Sequence, residues 1–187
     1  MGGNVRLEAS GSSGDLNYLL SSSFERIGSF FDAQGDRIPP DLLSTQGSLA
    51  DSNTINLFAK VGWEFGRDWL QLTLSHLNTN QDTDFSTDPA VNTLPPGSQK
   101  ALARGGLRLE DQSAIKNTVL NLDYSHPDLL FGSQVDAQVY YRDYQTRFFP
   151  FDGSRFQITT PEGFRIFQSR VESQKFGGRL QVDTPLL

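Results

Sequence analysis

Residues Asn53–Asn78 read NTINLFAKVGWEFGRDWLQLTLSHLN. Ile55, Leu57, Ala59, Val61, Trp63 and Phe65 share one parity, while Thr54, Asn56, Phe58, Lys60, Gly62 and Glu64 share the other, which is the period of a strand. Gly66 to Asp68 turn the chain. Beyond them Leu70, Leu72 and Leu74 resume the apolar parity against Gln71, Thr73 and Ser75. The stretch therefore predicts a long antiparallel hairpin with one apolar and one polar face. At roughly 3.3 Å per residue, about ten residues tilted by about 45° cover the ~25 Å apolar band of an outer-membrane barrel. Trp63, Phe65 and Trp69 gather at the turn, where a membrane–water interface favours amphipathic rings.

Composition is compatible with such a wall. Hydrophobic residues are 36% of the chain and aromatics 11%, and no run reaches the eighteen apolar residues of a membrane helix. A barrel spends half its wall on water, so a low average hydropathy is no obstacle to it. The chain has no cysteine, which excludes a disulfide scaffold and thiolate metal sites. Its net charge of −6 argues against nucleic acid as a partner, since phosphate neutralisation needs clustered Lys and Arg. The opening MGGNVRLEAS lacks the basic, apolar and small-residue sections of a secretory signal.

Alternation elsewhere extends the all-β reading to an antiparallel up-and-down meander of seven strands, over residues 4–10, 16–29, 54–65, 69–78, 116–125, 133–144 and 174–183. Val5, Leu7 and Ala9 mark the first apolar face; Tyr18, Leu20 and Phe24 mark the second. Leu120, Leu122 and Tyr124, then Val135, Ala137, Val139 and Tyr141, then Phe176, Leu180 and Val182 mark the last three. Polar segments rich in Gly, Pro, Asp and Ser separate them at 30–52, 79–114 and 145–173. Connections thus alternate short and long, as in a transmembrane barrel with tight periplasmic turns and long external loops. Tyr18, Trp63, Phe65, Trp69 and Tyr124 all lie near the short turns, where one interfacial girdle would place them. Seven is an odd number, whereas single-chain bacterial barrels have even numbers, so an internal fragment of a partial transmembrane β-barrel is expected.

Several colinear stretches carry a family resemblance: GDLNYLLSSSFERIGSFFDAQGDRIPPD (14–41), INLFAKVGWEF (55–65), QLTLSHLNTNQDTDF (71–85), VYYRDYQTRFFPFDGSRF (139–156) and ESQKFGGRLQVDTP (172–185). Together they resemble the early barrel strands of TonB-dependent siderophore receptors. The resemblance implies part of a 22-stranded barrel in the cell outer membrane, closed by a plug and driven by the TonB complex, which imports ferric siderophores. Outer-membrane lipid would surround it. Plug, coupling box and later strands are absent from this chain, so transport would belong to the parent receptor. Two other readings stay open: a passive porin-like or enzyme-bearing barrel, and a soluble antiparallel β binding module.

No catalytic constellation is found, and no cofactor is expected; iron would enter as a chelate. His76 and His126 lack ligand partners at zinc-like spacing. Asp82, Asp84 and Asp88 cluster without the central Gly and closing Glu of an EF-hand, which favours a solvated loop. The third long segment concentrates Arg147, Phe148, Phe149, Phe151, Arg155 and Phe156, a set suited to clamping an anionic, aromatic chelate by charge and stacking. The same residues also fit an upper aromatic girdle facing acidic lipid headgroups. Arg37 is a further candidate on the first loop. Lys60, Glu64, Asp136, Arg142, Lys175 and Arg179 are expected to face the lumen.

Overall fold

Strict alternation leaves each strand half polar, and the chain satisfies its backbone by pairing every such strand with the next. The computed structural model describes residues 2–39, 50–88, 95, 100, 102–105, 112–130, 132–148, 151–152 and 166–185. Its main element is one seven-stranded antiparallel sheet: β1 (Gly3–Ser13), β2 (Leu16–Ile27), β3 (Ser52–Phe65), β4 (Asp68–Gln81), β7 (Ala114–Leu130), β8 (Ser133–Arg147) and β11 (Arg170–Asp183). Each strand pairs with its successor in this order, and the sheet stays open, with β1 and β11 at its edges. Two small ladders decorate the long connections: β5 (Phe85–Thr87) with β6 (Ala103–Gly105), and β9 (Phe151–Asp152) with β10 (Ile166–Phe167).

The hairpin turns have a local cause. Gly14 and Gly66 occupy the first central position with φ of 56° and 69°, a conformation that suits Gly-X turns of the II′ kind. Strands extend further into the long segments than the sequence suggests, β3 starting at Ser52 and β11 at Arg170. The third short connection also differs from expectation. The strand bounds 116–125 and 133–144 leave 126–132 as a short connection, whereas β7 continues to Leu130 across a register shift between His126 and Leu130. A bulge accommodates the missing N–H of Pro127 without ending the ladder.

Register places side chains in continuous rows. Ala9, Leu20, Ala59, Leu74, Leu120, Tyr141 and Phe176 stand in line across all seven strands. The next row holds Gly11, Tyr18, Val61, Leu72, Leu122, Val139 and Gly178, and the one after it Ser13, Leu16, Trp63, Leu70, Tyr124, Ala137 and Leu180. Lys60, Glu64, Asp136, Arg142, Lys175 and Arg179 all fall on the other face.

Exposure is inverted relative to a soluble sheet. Leu72, Leu74, Leu120, Leu122 and Phe176 are exposed, whereas Gln71, Thr73, Asn121 and Asp123 on the polar face are half-buried. Among the described residues the buried apolar side chains are Ala50 and Pro39, and no second layer covers the apolar face. Among the described residues no helix is long and apolar enough to cross a membrane.

Candidate functional site

The long-loop end of the sheet is tied by a polar network. Asp51, between the first long segment and β3, sits at φ 53°, a left-handed conformation that Asp tolerates better than most side chains. Its carboxylate accepts hydrogen bonds from Ser29 Oγ (2.7 Å), Arg37 Nη2 (2.6 Å) and Thr83 Oγ1 (2.9 Å). The Arg37 guanidinium also lies 3.6 Å from the centroid of Phe85, a cation–π contact. Thr83 and Gln112 exchange two bonds of 2.7 Å, Thr83 N–H donating to Oε1 and Nε2 donating to the Thr83 carbonyl. Arg147 Nε in turn donates to the Gln112 carbonyl at 2.8 Å. Three segments distant in sequence are joined in this way.

Burial and hydrogen bonding oppose each other at Asp51. Burial alone raises its carboxyl, but the donors Ser29, Arg37 and Thr83 together outweigh it and hold the group below the usual carboxylate range. Outside this network Lys100 pairs with Asp32 and, at 2.7 Å, with Asp36, linking the second long segment to the first. The Lys100 hydrogen bond is the main cause of a lowered Asp32 carboxyl, and the same bond raises Lys100.

Placement of the sequence candidates is uneven. Arg37 and Arg147 lie at the two ends of the network. The charge of Arg37 is matched by Asp51, and its side chain is 22% exposed. Phe148 is held by backbone N–H donation to Ser169 (2.9 Å), and its carbonyl accepts from Gln168 Nε2. Phe151 pairs with Phe167 in the β9–β10 ladder. Phe149, Arg155 and Phe156 lie outside the described residues. Asp51, Thr83 and Gln112 were not visible as a group in the sequence, because their partners are remote and no motif spaces them; the one local hint is Asp51 in the turn before β3. Among the described residues no group of three His, Asp or Glu side chains is arranged to hold a metal ion.

The short-turn end carries the aromatic group. Trp63 and Phe65 have centroids 4.9 Å apart and share the apolar face with Tyr18 and Tyr124. Tyr124 Oη donates to Asp68, and His126 Nδ1 lies 2.8 Å from the same carboxylate oxygen. Trp69 does not stand with them as expected. It is the register partner of Glu64, and its ring lies over Gly62 on the polar face. Leu70, Leu72 and Leu74 fix the apolar parity of β4, so an odd-numbered Trp69 must project the other way.

Comparison with known proteins agrees with the sheet. The rhizobactin receptor of Rhizobium meliloti (strain 1021) is 28% identical over 145 residues, 76% of this chain and 19% of that protein. The ferric aerobactin receptors of Klebsiella pneumoniae and Escherichia coli are each 26% identical over 179 residues, 94% of this chain and 23% of theirs. The chain is a distant homologue of TonB-dependent siderophore receptors. It spans about a fifth of the length of these receptors. No family model and no solved structure matches it. The homology covers most of the chain.

Proposed function

We propose that this chain forms part of the barrel wall of an outer-membrane receptor for the energy-coupled uptake of ferric siderophores. The observation that carries the reading is the uncovered apolar belt, which crosses all seven strands with its Leu, Val, Phe and Trp side chains outward and its polar face half-buried. Water is a poor solvent for such a belt, and hydrocarbon a good one. Distant homology to receptors for rhizobactin and ferric aerobactin supports a chelate as cargo. Plug domain and TonB complex are the partners of the whole receptor in this reading. Ligand contact falls to the third long segment, through Arg147, Phe148, Phe149, Phe151, Arg155 and Phe156. Arg37 serves instead to position the rim, because Asp51 and Phe85 already occupy its guanidinium. Tyr18, Trp63, Phe65 and Tyr124 form the periplasmic interfacial girdle.

The test uses protein expressed from the full reading frame. It should fractionate with the outer membrane and bind a ferric chelate, and Arg155→Ala/Phe156→Ala should weaken that binding. A monodisperse monomer in detergent-free solution would overturn the membrane reading, and unchanged affinity in the double variant would reject the ligand assignment.

A further inference from the structure

On the polar face of the last three strands two cations stand opposite each other. Arg142 of β8 and Lys175 of β11 are direct register partners, so their Cα atoms lie about 5 Å apart, and like charges placed in this way destabilise a sheet. Among the described residues neither side chain meets a carboxylate: Arg142 Nε donates to Asn117 Oδ1 at 3.1 Å, and Lys175 has no partner. The one acid in their row is Glu8, at the far edge on β1 and paired with Arg6 at 2.7 Å. The nearest acid on this face of β7, β8 and β11 is Asp123, four residues toward the short turns, roughly 13 Å away. It already accepts from Gln138 Nε2 at 2.6 Å.

Rings and neutral donors frame the pair. Tyr144 lies one row above, with its ring centroid 5.5 Å from the Arg142 guanidinium carbon. One row below, a Cβ on Gly177 would lie 2.6 Å from Tyr140 Oη, so this phenol reaches across β11 beneath Lys175. The Asn117 bond draws the guanidinium toward β7, on the side away from β11, which opens a gap between the two charges. Further toward the short turns the face becomes acidic, with Asp123, Glu64 and Asp136.

From this juxtaposition we infer that Arg142 and Lys175 form a carboxylate-binding site on the lumen wall, which holds an anionic chelate below the third long segment. The inference rests on the receptor reading above, which makes the polar face a water-filled lumen. A carboxylate set between the two cations turns their repulsion into attraction: its oxygens accept the parallel donors of the Arg142 fork, and one of them also meets the Lys175 ammonium. Tyr140 Oη can donate to the same anion. The acidic tier below repels negative charge, so an anion entering from the long-loop side stops at this height.

The experiment uses protein from the full reading frame in detergent micelles, with iron-free citrate as the probe and sodium chloride of equal ionic strength as the control. Citrate should raise the thermal midpoint of wild type, followed by circular dichroism, beyond what chloride does. Arg142→Gln/Lys175→Gln should melt above ligand-free wild type at low salt, because the repulsion is gone, and should not respond to citrate. By equilibrium dialysis each cation removed should weaken citrate binding about tenfold, the size of one charge-assisted bond, and Arg142→Lys should weaken it less than Arg142→Gln. Equal effects of citrate and chloride on wild type, or a citrate response kept by the double variant, would overturn the inference. So would a double variant that melts below ligand-free wild type, since a carboxylate of the receptor itself would then fill the pair. Wild type that binds citrate at this pair but takes no ferric chelate would keep the site and sink the receptor reading beneath it.

Discussion

Gly62 shows how one missing side chain organises its neighbours. A Cβ built there would lie 2.3 Å from Trp69 Cη2 and 2.5 Å from Cζ2, so the indole covers the bare backbone of β3 and is held flat by it. Gly62→Ala should push the ring off, at a cost of about 1–3 kcal/mol. In a Trp63→Phe background, denaturation followed by Trp69 emission should show a lower midpoint and a shifted native spectrum; adding Trp69→Leu, with unfolding then followed by circular dichroism because no tryptophan remains, should recover most of the loss. An unchanged spectrum would mean the ring does not lie there. Asp51 makes a different prediction, because three donors hold its carboxyl low against burial. A group whose folded pKa is depressed contributes fully above its unfolded value, near 4, and loses that contribution as pH falls through the folded one. Acidification below that range should therefore loosen the rim before the strands, read by hydrogen exchange at Ser29, Arg37 and Thr83. Asp51→Ala should abolish that acid step and leave Arg37 without its carboxylate at neutral pH, costing about 1–3 kcal/mol. An acid step of equal size in the variant would assign the transition to other carboxylates.

Strands place each claim about lipid on a parity, and parity can be tested within one element. Leu72 lies in the middle of the β4 apolar face between Val61 and Leu122, and Thr73 beside it points to the other face with Lys60 and Asn121. Leu72→Arg should cost about 2–4 kcal/mol at the bilayer midplane, and Thr73→Arg should cost little. Folding yield into vesicles, read as the fraction resisting unheated detergent, separates the two; equal yields would contradict a lipid-facing parity. The same parity explains what could be read from the sequence. Leu70, Leu72 and Leu74 announce their face within five residues, so the strands and their apolar sides were legible without any partner. The β7 extension was not, because Pro127 normally ends a ladder and only a bulge, created by the neighbouring β8, lets it stay. Nor was the rim network, since Arg37 meets Phe85 and Gln112 meets Arg147 through loops whose closure no local pattern encodes. Trp69 departs from the girdle for the opposite reason: its nearness to Trp63 along the turn suggests a shared face, but strand parity separates the two.

Across the whole sheet the apolar belt drifts relative to the hydrogen-bonded rows. On β1 it is centred on Leu7, whose row reaches β11 at Gln174, yet on β11 it is centred between Gly178 and Leu180. A displacement of about five residues is roughly 17 Å along the strands over six inter-strand gaps of about 4.8 Å, a slope of about 30°. Side chains that touch a flat slab must stay at one height, so a slanted belt means strands inclined to the slab by that angle, close to the roughly 35–45° of membrane barrels. Independent layers packed in water impose no such common height. The two tryptophans turn this into a measurement. Trp63 is 50% exposed on the apolar face, and Trp69 lies over Gly62 on the other. Lipids brominated along the acyl chain should quench Trp63 in a Trp69→Phe variant, most strongly for bromines near the headgroup, because Trp63 lies at the short-turn end of the belt. In the Trp63→Phe variant the remaining Trp69 should resist brominated lipid and respond to aqueous acrylamide. Equal quenching of both by lipid would mean that this sheet does not divide hydrocarbon from water.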